Sequence, residues 1–147
     1  MEVLIKMYWD DSPTPNVLAP IGDFFCLGHF IAANFQSLPF TASVKPSEER
    51  KFGGATASRC YLPMPFKKHA RIEIENQNDE AYIQYFYIDY ELCSEPLIDD
   101  TMYFHAHWRR ENSTNGWAPP NMQTNSLVTQ VKNLDRKNNY VILETEG

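Results

Sequence analysis

The sequence has little positive charge and no long apolar run, and both absences narrow the possible functions. Acidic residues outnumber Lys and Arg by 19 to 13, which gives a formal net charge of −6. Nucleic acid is therefore disfavoured as a partner, because phosphate binding needs a basic stripe. No stretch is apolar for long enough to span a bilayer, and no leader-like segment precedes Val3, so neither a membrane partner nor a signal peptide is predicted.

Cysteine is also scarce, and several catalytic motifs are missing. The three cysteines, Cys26, Cys60 and Cys93, are scattered, so they match neither a metal-binding spacing nor a disulfide framework. We interpret them as small buried side chains. The sequence has no Gly-x-Ser-x-Gly elbow, no recognisable Cys/His pairing and no glycine-rich phosphate loop, which disfavours Ser or Cys hydrolases and nucleotide enzymes.

Aromatic residues are abundant, at 14%, and the apolar residues alternate along the chain as they do in β-strands. Residues 3–10 predict a half-buried strand whose inward face carries Val3, Ile5, Met7 and Trp9. Residues 69–75 alternate most clearly, with Ile72 and Ile74 on one face. A hairpin loop at 76–80 and a long return strand at 82–92 are expected to follow.

The remaining pattern adds shorter strands and one helical turn. Strands are predicted at 38–44, 101–110 and 140–143, with an extended edge segment at 58–66 because Pro63 and Pro65 cannot donate ladder hydrogen bonds. A helical turn is expected within 22–30, with Asp23 as its N-cap. Residues 1–147 are thus expected to form one all-β domain, a jelly-roll-like antiparallel β-sandwich.

The 101–112 segment concentrates polar side chains beside aromatic ones. His105 and His107 would share one face of a strand, and Glu111 completes a His-x-His-x-x-x-Glu spacing like the first motif of the metal-binding cupins. The glycine expected six residues before His105 is replaced by Asp99, and no histidine follows Glu111. A metal site is therefore the weaker of two interpretations. In the preferred one, one histidine forms a hydrogen bond in a cleft and the other is exposed to solvent.

Two adjacent arginines belong to the same segment. On a strand, Arg109 and Arg110 would face opposite sides, so one would brace the fold through an ion pair with Glu111 or Asp89 while the other reached a ligand. Structural bracing and ligand contact both stay open for each arginine.

Glycoside cleavage needs two carboxylates that face each other across the scissile bond. Asp89 and Glu91 share a strand face, as do Glu144 and Glu146, but neighbours on one face usually point in parallel at solvent. Asp10 lies in a turn, where an acidic side chain more often caps backbone groups than performs chemistry.

Several segments, spread over nearly the whole chain, together resemble glycoside hydrolase family 172, formerly domain of unknown function 2961. In chain order they are Trp9-Asp10-Asp11, Pro20 to Phe25, Tyr61 to Ile72, Ile74 to Asn76, Tyr87 to Glu91, Thr101 to Ala106, Trp108 to Asn112 and Tyr140 to Leu143.

This resemblance implies tandem jelly-roll sandwiches assembled as trimers, and retaining hydrolysis of fructofuranosides or arabinofuranosides with no metal or other cofactor. The family's catalytic carboxylates belong to two sequence motifs, Gly-Glu-Gly-Asp-Glu and Gly-Thr-Glu-Asp-Tyr, and neither motif occurs in this sequence. We therefore expect a central fragment without catalytic residues that contacts carbohydrate. The substrate-binding residues predicted in this way are Trp9, Asp10, Asp23, His105, His107, Trp108, Arg109, Arg110 and Glu111.

Two alternatives stay open at this point. In one, the chain is a working piece whose missing carboxylates come from another polypeptide. In the other, it is a jelly roll kept for assembly, which forms homo-oligomers and has lost its sugar chemistry. In either case, removing half of a tandem sandwich would expose apolar surface that the other half covers.

Overall fold

Strand β1 (Val3–Trp9) lies inside the larger of two sheets, and its predicted inward residues, Val3, Ile5, Met7 and Trp9, are buried. Tyr8, on the side expected to face outward, is buried as well. It pairs antiparallel with β2 (Val17–Pro20) on one side and with β6 (Ala70–Asn76) on the other. The computed structural model describes residues 3–98, 100–110 and 140–144. They belong to two compact units, Met1–Trp108 and Arg109–Gly147.

Both sheets belong to the first unit. The four-stranded sheet has the order β6-β1-β2-β7, where β7 (Ala106–His107) pairs parallel with β2. The three-stranded sheet consists of β3 (Phe35–Gln36), β4 (Phe40–Val44) and β5 (Thr56–Cys60), all antiparallel. Helix content is limited to α1 (Ile21–Phe24) and a 3₁₀ turn (Gly28–Phe30). The predicted all-β class is therefore confirmed.

The core forms on the inward face of β1 and β2. Its buried members are Ile5, Met7, Trp9, Val17, Ala19 and Phe24. Phe40 from β4 and Cys60 from β5 pack against this cluster, and the Phe24 and Phe40 rings meet edge to face at 5.9 Å. Each side chain of this size that leaves water completely stabilises the fold by roughly 1.5–3 kcal/mol.

Three of the predicted strands are wrong or much shorter than expected. Residues 82–92 form no strand, residues 140–143 form none, and of 101–110 only Ala106–His107 does. Alternation predicts which side chains share a face, but a strand also needs a neighbour with free backbone groups. Among the described residues, the 82–92 and 140–143 segments find no such neighbour.

Two local expectations also need correction. Asp23 does not cap α1, because the helix begins at Ile21 after Pro20 and no side chain caps it. The N–H groups at the start of this four-residue helix therefore donate no hydrogen bond to the Asp23 carboxylate, which the sequence analysis had expected to cap them. Cys26 and Cys93 are exposed and Cys60 is intermediate, so the prediction of three buried cysteines is wrong. Cys26 lies in a surface turn with φ of 61°, and Cys93 follows the unpaired 82–92 segment.

Within the part of the chain that the structure describes, no helix is both long and apolar enough to cross a membrane.

Gly22 permits a close approach of Phe30. A Cβ atom on Gly22 would lie 2.5 Å from Cδ2 and 3.1 Å from Cα of Phe30. Phe30 itself has φ of 52°, a left-handed conformation that a bulky residue rarely adopts. The backbone here therefore has little freedom to move away from an added methyl group.

We expect Gly22→Ala to lower the free energy of unfolding by roughly 1–3 kcal/mol, as overpacking typically does. Gly28→Ala is the matched control, because a Cβ atom there meets nothing within 4 Å. Urea denaturation of both variants provides the measurement. Equal stability of the two variants would contradict the tight contact between Gly22 and Phe30.

Candidate functional site

Trp9, at the end of β1, forms hydrogen bonds with two other parts of the chain. Trp9 is 4% exposed, and its indole N–H donates to the carbonyl oxygen of Phe104 at 2.7 Å. Its backbone N–H donates to Oδ1 of Asn16 at 3.0 Å, which closes the turn between β1 and β2. Trp9, which the sequence predicted to contact substrate, thus lies in the core and holds the 101–108 segment by its backbone.

Asp10 follows directly and organises a second set of contacts. Its carboxylate accepts hydrogen bonds from the backbone N–H groups of Lys67, Lys68 and His69 and from the hydroxyl of Tyr103 at 2.6 Å. The N–H of Asp10 in turn donates to the carbonyl of His69 at 2.8 Å. We call these five residues the Asp10 cluster.

Within the Asp10 cluster, the carboxylate caps backbone N–H groups. This agrees with the interpretation of the Asp10 turn from sequence, although the same residue was also expected to bind substrate. Sequence reasoning missed the partners, Tyr103 and residues 67–69. A possible signal was the left-handed backbone that a turn after a strand requires, since Asp10 has φ of 54° and Asp tolerates it better than most residues.

The electrostatics of the cluster favour the ionised carboxylate. Partial desolvation opposes ionisation, but the hydrogen bonds from Tyr103, Lys68, Lys67 and His69 outweigh it and lower the pKa of Asp10 from its ordinary value of 3.8 to about 2. The same contact raises the pKa of the Tyr103 hydroxyl, because the neighbouring carboxylate disfavours a phenolate.

The 101–108 segment is fixed by its backbone at regular intervals. The N–H of Ala106 donates to the carbonyl of Asn16 at 3.1 Å, and the N–H of Trp108 donates to that of Leu18 at 2.9 Å. Ala106 pairs with buried Val17 and therefore shares its inward face. The next residue, His107, points to the opposite, outer face of the sheet.

The polar side chains of this segment face solvent as a result. His105 and His107 are exposed, and the Trp108 side chain is 47% exposed. We call these three residues the His–Trp row. A fixed backbone that presents two imidazoles and one indole can donate and accept hydrogen bonds and offer a flat apolar face.

The outer face of the same sheet carries paired charges. The Lys6 ammonium donates to the Glu75 carboxylate, and the Arg71 guanidinium lies 4.0 Å from the ring centroid of Tyr8. Arg71 also forms an ion pair with Glu73 at 3.2 Å. These charged groups satisfy one another, so this face is a solvated surface, to which exposed His107 belongs through the pairing of β7 with β2.

The other predicted site residues are not part of this row. Asp23 is part of α1 and partly exposed. In the second unit, the Arg109 guanidinium lies 5.4 Å from the ring centroid of Tyr140, whose hydroxyl donates to the carbonyl of Arg109 at 2.8 Å. Arg110 is exposed, and Glu111 lies outside the described residues, as do Asp99 and Glu146.

Among the described residues, no group of three or more His, Cys, Asp and Glu side chains could hold a metal ion. Glu111, the third member of the cupin-like spacing, lies outside the described residues. The structure therefore describes only His105 and His107 of that motif. The carboxylates of Asp89 and Glu91 are both exposed on the unpaired 82–92 segment.

The two sheets and the anchored His–Trp row define a domain that is nearly all β, with antiparallel pairing dominant in both sheets. The chain belongs to the GH172 domain-like family, whose model matches residues 1–88. This confirms the relationship that the sequence segments suggested, while the segments after residue 88 lie beyond the match. A comparison with curated proteins finds no match.

The pH dependence of stability tests the Asp10 cluster. Because the pKa of Asp10 is lowered on folding, the ionised carboxylate stabilises the fold above about pH 4, and this contribution is lost as the pH falls towards 2. We expect Asp10→Asn to lower the free energy of unfolding by roughly 1–3 kcal/mol at neutral pH, with a difference from wild type that shrinks in acid.

Thermal melts of both proteins between neutral pH and pH 2 provide the measurement. Asp11→Asn is the matched control, since the Asp11 side chain is 76% exposed and its ion pair is with the exposed side chain of Lys68, at 3.5 Å. A constant difference between Asp10→Asn and wild type at every pH would contradict the proposed role of the charge.

Proposed function

We propose that this chain is a carbohydrate-contacting domain of the glycoside hydrolase 172 type, with furanosides as its ligands and the His–Trp row as its contact surface. The observation that carries the proposal is the exposure of His105, His107 and Trp108 on a segment whose backbone is bound to Asn16, Leu18 and Trp9. Membership of the family supplies the ligand class.

The chemistry of the row suits a sugar. A half-exposed indole offers a flat apolar face to the C–H groups of a furanose ring, and imidazoles donate to or accept from its hydroxyls. The backbone bonds of Ala106 and Trp108 fix the segment before a ligand arrives. Less conformational freedom is then lost on binding, which favours affinity.

We further propose that hydrolysis requires carboxylates outside these 147 residues. The two glutamate-containing sequence motifs that the resemblance implies are missing from the sequence. Asp89 and Glu91 are neighbours on one exposed segment, which does not place two carboxylates on opposite sides of a glycosidic bond as the reaction demands.

A second candidate is a structural role in a homo-oligomer, with trimers as the assembly that the resemblance implies. The observation that favours it is the amount of apolar surface on the 82–92 segment, where Tyr85, Tyr87 and Leu92 are 87%, 96% and 85% exposed. Monomeric proteins rarely expose apolar side chains in such a contiguous run.

Ligand titration tests the carbohydrate proposal. We expect Trp108→Ala and His105→Ala to weaken binding of methyl fructofuranoside or methyl arabinofuranoside roughly two- to tenfold each, the size of an aromatic contact or one hydrogen bond. Tyr61→Ala is the control, because Tyr61 is an aromatic residue, 61% exposed, that follows β5 of the smaller sheet. Equal affinities in all variants would exclude the row, and a fall in melting temperature would assign it to bracing instead.

Turnover of nitrophenyl fructofuranosides and arabinofuranosides tests the second part. At high protein concentration we expect no release of nitrophenol by the chain alone, because the two glutamate-containing motifs that the resemblance implies are missing from the sequence. Activity that Asp89→Asn or Glu91→Gln abolishes would contradict this and would identify those two residues as a catalytic pair.

A further inference from the structure

Two of the three cysteines are far apart in sequence, yet the fold places them on neighbouring elements. Cys60 is the last residue of β5 and lies opposite Phe40 of β4 in the register. Residues that lie directly opposite each other in an antiparallel pair share one face of the sheet, and both of these side chains pack against the buried core cluster. The Cys60 side chain therefore belongs to the same packed layer as Phe24, a buried member of that cluster.

Cys26 approaches this layer from the end of α1. The Phe24 ring meets the Phe40 ring edge to face at 5.9 Å, so the end of α1 packs on the strand pair that carries Cys60. Cys26 follows two residues after Phe24, and its N–H donates to the carbonyl of Asp23 at 3.0 Å. This hydrogen bond turns the chain back on α1 and keeps Cys26 beside the Phe24–Phe40 contact.

The electrostatics of Cys60 agree with this placement. Burial raises the pKa of the Cys60 thiol, a hydrogen bond from the backbone N–H of Leu62 lowers it, and the negative charge of a Cys26 thiolate raises it further. One charge affects another in this way only over a short distance, because water and salt screen it. The two sulfur atoms therefore lie near each other in the reduced chain.

The two thiols differ in their access to solvent. Both are free, but Cys26 is exposed whereas Cys60 is only partly accessible. A dissolved oxidant therefore reaches Cys26 first, and Cys60 lies behind it as the second thiol. An accessible cysteine beside a resolving cysteine is the arrangement that redox-sensitive thiol pairs use.

We propose that Cys26 and Cys60 form a reversible disulfide when the chain meets a low-molecular-weight disulfide such as oxidised glutathione. The Cys26 thiolate attacks one sulfur of the oxidant, forms a mixed disulfide and displaces the first glutathione thiolate. The Cys60 thiolate then attacks the Cys26 sulfur and displaces the second. Two protein thiols are oxidised, one oxidant molecule is reduced to two thiols, and the protons of the protein thiols end on the two displaced thiolates.

The disulfide would connect the two sheets covalently. Cys26 follows α1, which contacts β1 and β2 of the larger sheet, whereas Cys60 ends β5 of the smaller sheet. The loop that the bond closes contains β3 and β4. Closing such a loop lowers the conformational entropy of the unfolded chain, so the oxidised form is the more stable one. Neither cysteine belongs to the His–Trp row, so this inference is independent of sugar binding.

Oxidation of three full-length variants tests the pair. Cys93→Ser retains only the two proposed partners, and adding Cys26→Ser or Cys60→Ala to it leaves a single cysteine as the matched control. Each protein is incubated with oxidised glutathione at low concentration, and the free thiols are then alkylated under denaturing conditions. Trypsin separates the two cysteines, because Arg50 and Arg59 lie between them, and mass spectrometry identifies any linked peptides.

We expect Cys93→Ser to lose both free thiols and to yield one peptide pair joined through Cys26 and Cys60. Its Tm should rise by roughly 5–15 °C over the reduced form, and dithiothreitol should reverse both changes. The single-cysteine controls should take up at most one glutathione, with no such rise in Tm.

Two outcomes in the Cys93→Ser protein would overturn the proposal. One is a stable glutathione adduct on Cys26 while Cys60 stays a free thiol. The other is a link between the two that forms only in urea, since the folded chain would then not bring the sulfur atoms together. Both outcomes are read from Cys93→Ser itself, so they hold even if a single-cysteine control folds poorly.

Discussion

The interactions at the end of β1 determine where every other feature of the candidate site lies. The Trp9 indole binds the backbone at Phe104, 95 residues away in sequence, and the Asp10 carboxylate binds residues 57 to 93 positions away. Bonds of such long range exist only in the folded chain, where the core beneath β1 is packed. The position of the His–Trp row is therefore a property of the folded core and not of the local sequence around it, which is why Trp9 and Asp10 serve the site without facing a ligand.

The sequence predicts β1 well, because Val3, Ile5, Met7 and Trp9 are buried on the face that alternation indicates. Strand β6 also forms where it was expected, although Ile72 and Ile74 on its apolar face are still 37% and 38% exposed. Sequence reasoning fails where a strand depends on a partner. Residues 82–92 alternate as well as β6 does, yet in the described structure they lie unpaired. Residues 101–105 are held by the side chains of Trp9 and Tyr103, a long-range contact that no local pattern encodes. The parallel pairing of β7 with β2 was not foreseen either, for the same reason.

Of the predicted site residues, His105, His107 and Trp108 are exposed on the segment that contains β7, while Trp9 and Asp10 hydrogen-bond to Phe104 and Tyr103 of the same segment. Asp23 lies elsewhere, on α1, and Arg109 contacts Tyr140 within the second unit. Residue types singled out this segment, and ligand contact there stays a prediction, while burial was needed to separate side chains that support the fold from side chains that face solvent. The two surfaces also differ in kind, since the row is polar and anchored whereas the 82–92 segment is apolar and unpaired. This difference suits a small polar ligand on one and protein contact on the other.

The central claim is that the end of β1 fixes the 101–108 segment while its side chains stay exposed. Hydrogen exchange followed by NMR measures this directly. The account predicts slow exchange for the Trp9 indole proton and for the Ala106 and Trp108 amides, which donate to Phe104, Asn16 and Leu18, with protection close to that of the β1 amides. Exchange of these three protons at the rate of an unfolded chain, while β1 stays protected, would contradict it.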